Sequence, residues 1–215
     1  MEKKGIFISF EGPEGGGKST HIRDLEEFLQ NSGIRTLRTR EPGGTRLGEM
    51  VRGMLQNDAA GEAPSSRAEV MLFAASRAQL CDNVIRPALD EGTWVLADRF
   101  ADSTYAYQGY ARGFDLADIK KITAFATGSL TPDLTFLLDL PPEVSRERLA
   151  ARQKDAQGAP DRIEREDDGF HIKVRNGFLE LAESEPERYV VIDARASREE
   201  VSSRIEAEIK ARFGV

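Results

Sequence analysis

The run Gly12-Pro13-Glu14-Gly15-Gly16-Gly17-Lys18-Ser19, followed by Thr20, has residue types and spacing suited to one kind of chemistry. It satisfies G-x-x-x-x-G-K-S. Glycines let backbone N–H groups turn inward around phosphate oxygens, and a helix opening at Lys18 aims its positive end at the same anion. In such a loop the lysine reaches the β- and γ-phosphates and the Ser19 hydroxyl ligates Mg²⁺. Gly12 to Thr20 is therefore the expected ATP-binding run. A dinucleotide-binding turn has different glycine spacing and needs an acid at the end of the second strand, so it is excluded.

A phosphate loop alone leaves GTPases, ATPases and small-molecule kinases open. Trp94-Val95-Leu96-Ala97-Asp98-Arg99 narrows the choice. It reads as a buried strand ending in an acid, suited to hold Mg²⁺ through water, with Arg99 at the sheet edge where ligands bind. Arg40-Glu41-Pro42-Gly43-Gly44-Thr45 puts an arginine fork beside a tight turn, and Arg52 follows one to two helical turns later. Arginine's planar fork suits bidentate phosphate binding. In Leu72-Phe73-Ala74-Ala75-Ser76-Arg77, Phe73 and Arg77 stand at i and i+4, on one helix face. A flat ring beside a fork of donors can hold a nucleobase, although a core Phe with a solvated Arg has the same spacing.

These residues need a scaffold. Short β-like runs (Ile6–Phe10, Thr36–Thr39, Thr93–Ala97, Leu134–Leu138 and Tyr189–Ile192) alternate with helical stretches. Helices are expected to begin near Lys18, Arg46, Ser66, Asp115, Pro142, Asp167 and Ser197, the last with Glu200 as a capping box. That alternation predicts an α/β fold with a parallel sheet buried between helices. The polar stretch from Gln153 to Asp161, flanked by Arg152, Arg162 and Arg165, reads as a lid of about 152–164 within a single domain of 1–215.

With 40% hydrophobic residues in 215, the chain can bury a core. A net charge of −7 argues against a general nucleic-acid or membrane-surface binder. The single cysteine, Cys81, excludes an intrachain disulfide framework and reads as a small buried hydrophobe. No apolar run has the length of a membrane span, so a cytoplasmic protein is expected. His21 and His171 lack ligand spacing and are expected on helix surfaces.

In their order along the chain, these motifs resemble the bacterial thymidylate kinases. The likeness includes Tyr105-Ala106-Tyr107-Gln108-Gly109, Pro132-Asp133-Leu134-Thr135 and Asp161-Arg162-Ile163-Glu164, and covers essentially the whole chain. It implies a P-loop fold with a five-stranded parallel sheet, a homodimer, and transfer of the γ-phosphoryl group of Mg-ATP to dTMP, giving dTDP. Carried over, Phe73 would stack on thymine, and Arg77, Thr104 and Gln108 would bond its edge. Arg40, Arg52 and Arg99, with neighbouring Glu41, would surround the acceptor phosphate. Glu14 would accept from the sugar 3′-hydroxyl, and Tyr107 would crowd the place of a ribose 2′-hydroxyl.

Two departures stand out. Some members carry a basic residue within the phosphate loop, and this chain has none before Lys18. Catalytic positive charge is then expected from Arg152, Lys154 and Arg162, beside Lys18 and Arg99, with Asp98 as the catalytic carboxylate near Mg²⁺. Phe100 also replaces a common Tyr or His. The alternatives are a kinase for another monophosphate and an NTPase switch; the latter is disfavoured because the guanine-reading Asn-Lys-x-Asp is missing.

Overall fold

The computed structural model describes residues 4–56, 61–155 and 162–215, and for 152–155 the backbone alone. Five strands, β1 (Phe7–Glu11), β2 (Thr36–Arg40), β3 (Trp94–Asp98), β4 (Leu134–Asp139) and β5 (Tyr189–Asp193), form one sheet in the order β2-β3-β1-β4-β5. Every neighbouring pair is parallel. β1 is buried throughout, and β3 and β4 are buried up to their last residue, which explains their near-continuous apolar sequences.

Each strand runs one residue past the apolar stretch legible in the sequence, ending in Glu11, Arg40, Asp98, Asp139 and Asp193. All five charges therefore lie along the C-terminal edge of the sheet. The first four helices are α1 (Lys18–Asn31), α2 (Arg46–Gln56), α3 (Ser66–Leu80) and α4 (Arg86–Asp90). They continue with α5 (Ala101–Thr104), α6 (Leu116–Thr127), α7 (Pro142–Asp155), α8 (Asp168–Ser184) and α9 (Arg198–Phe213). Asp115, Asp167 and Ser197 are N-caps, one residue before their helices, and Ser197 with Glu200 closes a capping box.

On one sheet face α1 and α9 pack over Phe10, Leu96, Phe136 and Ile192. On the other, Phe7, Val95 and Phe100 meet the end of α3 and its π-helical continuation Cys81–Ile85. One expectation changes here. His21 is not a surface residue: it is 6% exposed and its ring bonds Ser202 of α9 at 3.0 Å. After β3, where no helix start is read from the sequence, α5 runs into a π-helical stretch, Tyr105–Ala111, which packs against α8.

Candidate active site

The phosphate loop joins β1 to α1. Gly12 has φ 123°, and a Cβ there would lie 2.4 Å from the Leu138 carbonyl oxygen, so only glycine lets the loop pass β4. Gly17, with φ 84°, turns the chain into α1. Lys18 is buried and donates to the carbonyls of Gly12 (3.1 Å) and Pro13 (2.8 Å), leaving one of its three N–H donors. Burial, with the Arg99 guanidinium adding, pulls its ammonium below the ordinary value, against Glu14, Asp98 and Glu11. Ser19 Oγ donates to Asp98 at 2.5 Å, joining loop and third strand through two hard oxygen donors.

Arg99 follows that acid in the left-handed region, with φ 70°. A non-glycine residue there costs roughly 1–3 kcal/mol and persists only where its surroundings impose it. Glu11 supplies part of that frame. One of its carboxylate oxygens accepts from the Phe100 N–H (2.8 Å) and the other from Ser103 Oγ (2.6 Å), clamping the turn. The Arg99 guanidinium then donates to Glu14 at 2.6 Å and to Ser103 at 3.2 Å, and lies 5.3 Å over the Tyr107 ring. Burial pushes the Tyr107 phenol up to about 12, so it stays protonated at neutral pH.

A cavity of about 490 Å³ opens beside this cluster, at the C-terminal ends of the strands. It is where open α/β sheets bind ligands. Of the residues singled out from the sequence, Pro13, Glu14, Ser19, Arg40, Glu41, Arg52, Phe73, Asp98, Arg99, Thr104, Tyr107 and Gln108 line it. Arg40 pairs with Glu49 at 2.9 Å, and Arg52 donates to the Pro42 carbonyl at 3.0 Å, after a cis Glu41–Pro42 bond.

Arg77 lies behind that lining, 1% exposed, donating to Glu41 and, at 2.8 Å, to Thr104. Its Nη1 has no partner among the described residues. Arg162 is turned away from the loop, onto Glu69 and the Leu55 carbonyl. The side chains of Arg152 and Lys154, and the whole of Asp161, lie outside the described residues.

Sequence reasoning passed over Glu11 and Glu69. Glu69 stands four residues before Phe73 and eight before Arg77, a helical spacing that was legible. Glu11 carries no such sign, since its partners Phe100 and Ser103 are about ninety residues away. His171 and Arg175 of α8 also line the cavity, and Arg175 forms a two-point pair with Asp139.

The thymidylate kinase family model matches residues 10–205. A curated thymidylate kinase of Deinococcus radiodurans is 47% identical over 97% of this chain and 98% of its own length. One from Carboxydothermus hydrogenoformans is 48% identical over 92% and 93%, and one from Lactobacillus helveticus 43% over 98% of both. With its phosphate loop, its arginine-lined cavity and this likeness along nearly its whole length, the chain belongs to the thymidylate kinase family.

Proposed function

We propose that this chain transfers the γ-phosphoryl group of ATP to the phosphate of dTMP, giving dTDP and ADP. The observation that carries the proposal is one cavity in which Glu14 and Ser19 of the phosphate loop share the lining with Arg40, Arg52 and Arg99 and the pair Phe73 and Gln108. Such a cavity suits two anions end to end with a flat base beyond them.

The phosphate loop and the remaining Lys18 donor hold the ATP phosphates. Arg40, Arg52 and Arg99 hold the acceptor phosphate, already ionised at neutral pH, so no strong base is needed. An acceptor oxygen attacks the γ-phosphorus while its bond to the bridging oxygen breaks, and the work is positioning and charge stabilisation. The base stacks on Phe73, with Thr104 and Gln108 at its edge and Arg77 Nη1 as the spare donor behind. Glu14 takes the sugar 3′-hydroxyl, and Tyr107 occupies the room of a 2′-hydroxyl.

Ser19 and Asp98 are the residues that would hold Mg²⁺. Two side-chain oxygens completed by phosphates and water suit an ion that prefers oxygen ligands and keeps part of its hydration. When bound, Mg²⁺ would offset the negative charge of the transferring phosphoryl group. Arg148 of α7 donates to the Gly15 carbonyl at 3.1 Å, and Arg152 follows one turn later on the same helix. That placement favours Arg152 over Arg162 as the lid cation aiding transfer.

The exposed apolar side chains Leu47, Met50 and Met54 of α2, Met71 of α3 and Phe125 of α6 support a homodimer. No helix of the described residues is long and apolar enough to cross a membrane. Cytoplasmic location belongs to the proposal, supported by one cysteine, buried in the core.

Offering nucleoside monophosphates one at a time tests the reading. ADP should form with dTMP and Mg-ATP together. Comparable ADP release without any monophosphate, or preference for another one, would sink it.

A further inference from the structure

Glu69 is 1% exposed, and its carboxylate gathers three side chains from distant parts of the chain. Gln108 Nε2 donates to Oε1 at 2.7 Å. Arg162 donates to Oε2, and Arg112 approaches both oxygens at 3.5 Å. An ionised carboxylate only accepts, so the end of the Gln108 amide facing it has to be the NH₂. The assignment rests on that chemistry rather than on telling nitrogen from oxygen.

The consequence reaches the cavity. Gln108 lines it, yet is 2% exposed, and its Oε1 accepts no hydrogen bond from a described residue. With the NH₂ held from behind, the carbonyl oxygen is the end left for a ligand. We propose that Glu69 is a specificity-determining positioning residue, fixing Gln108 as an acceptor and so selecting bases with an N–H donor, such as thymine N3–H, over bases with a lone pair there.

The inference rests on the base lying beside Phe73 and Gln108. Glu69 then sets the polarity of that contact. The structure also shows what would reverse it. In Glu69→Gln, Arg162 and Arg112 retain the oxygen, since guanidinium groups only donate. The new NH₂ then faces Gln108, whose amide turns to accept from it and presents its own NH₂ to the cavity.

The experiment compares dTMP with 5-methyl-dCMP, which keeps the methyl group and ring but carries an acceptor at N3. For Glu69→Gln we expect KM for dTMP to rise, KM for ATP to stay, and the preference for dTMP in kcat/KM to fall by roughly tenfold. Equal losses for both monophosphates would show that Glu69 only supports the fold, and would overturn the proposal. Gln108→Leu separates the two layers. If it leaves KM for dTMP unchanged, the base does not lie there, and both the site reading and the proposal fall. If it raises that KM while Glu69→Gln preserves the preference, only the proposal falls.

A measurement on the unaltered enzyme keeps the test open should Glu69→Gln not fold. The N3 proton of 5-bromo-dUMP is more acidic than that of dTMP. As pH rises through its ionisation, its binding should weaken relative to dTMP measured at the same pH, which cancels titration of the protein. An unchanged ratio would show that Gln108 turns freely, against the proposal.

Discussion

Arg77 grips Glu41 through three hydrogen bonds of 2.6 to 3.0 Å, in a pocket where both side chains are almost wholly buried. The pair joins α3 to the end of β2, so the helix face carrying Phe73 is fixed relative to the turn carrying Pro42. Burial raises the Glu41 carboxyl, opposed by Arg77. Removing one partner of a buried pair strands the other charge, and Glu41→Ala should lower unfolding free energy by roughly 3–5 kcal/mol. Replacing both partners, with Arg77→Met and Glu41→Leu, should recover most of that stability but not dTMP binding. Denaturant melts and titrations on both variants check this; recovered binding in the double variant would reduce Arg77 to a packing residue.

Phe73 lines the cavity half-buried, and its proposed partner is the face of the base. Phe73→Ala should weaken dTMP binding by roughly 1–3 kcal/mol, the range for base–aromatic stacking. ATP binding should hardly change. Calorimetric titrations with each nucleotide decide the matter, since equal losses would mean that the ring serves the core.

Much of this was legible in the sequence, and the rest failed for identifiable reasons. The strands could be placed because their buried runs are nearly unbroken; their ends could not, because Glu11, Asp98 and Asp139 pair through backbone while looking like loop residues. The cavity residues from Pro13 to Gln108 came from motifs and the family resemblance. The helical path of Ala101–Ala111 did not, since aromatics and Gly109 obscure any 3.6-residue period. The Arg77–Glu41 grip was invisible at a separation of 36 residues, as was the turn of Arg162 toward Glu69.

Glu11 gives a pH prediction with a definite sign. Burial, with Asp102 adding, pushes its carboxyl from 4.5 up to about 7, against Arg99, Ser103 and the Phe100 N–H. Between those values the folded chain holds a proton that the unfolded chain has released. The contribution is therefore fully present below about 4.5 and is lost as pH rises through about 7. Glu11→Gln keeps the shape and cannot titrate. Melting temperature should accordingly fall for the natural chain relative to Glu11→Gln across that window. Parallel curves would show that Glu11 titrates as it does in the unfolded chain.

The exposed apolar side chains make the last prediction. Leu47, Met50 and Met54 recur at helical spacing along α2, and α2 packs on α3, which carries exposed Met71. α3 in turn packs on α6, where Phe125 is 91% exposed, the most exposed large apolar side chain among the described residues. Exposed apolar side chains gathered on packed helices suit an association site, and methionines suit a face that must fit itself. A second copy of the chain is the proposed occupant. Met50 at 61% exposure and Phe125 touch little of their own fold, so Met50→Glu with Phe125→Glu should leave it intact. In a dimer the same changes would bury carboxylates without partners, a cost of several kcal/mol that association cannot absorb. Light scattering should give a dimer for the natural chain and a monomer for the double variant. Because α2 also carries Arg52 into the cavity, loss of the dimer should raise KM for dTMP more than KM for ATP. A double variant that stays dimeric would place the interface elsewhere.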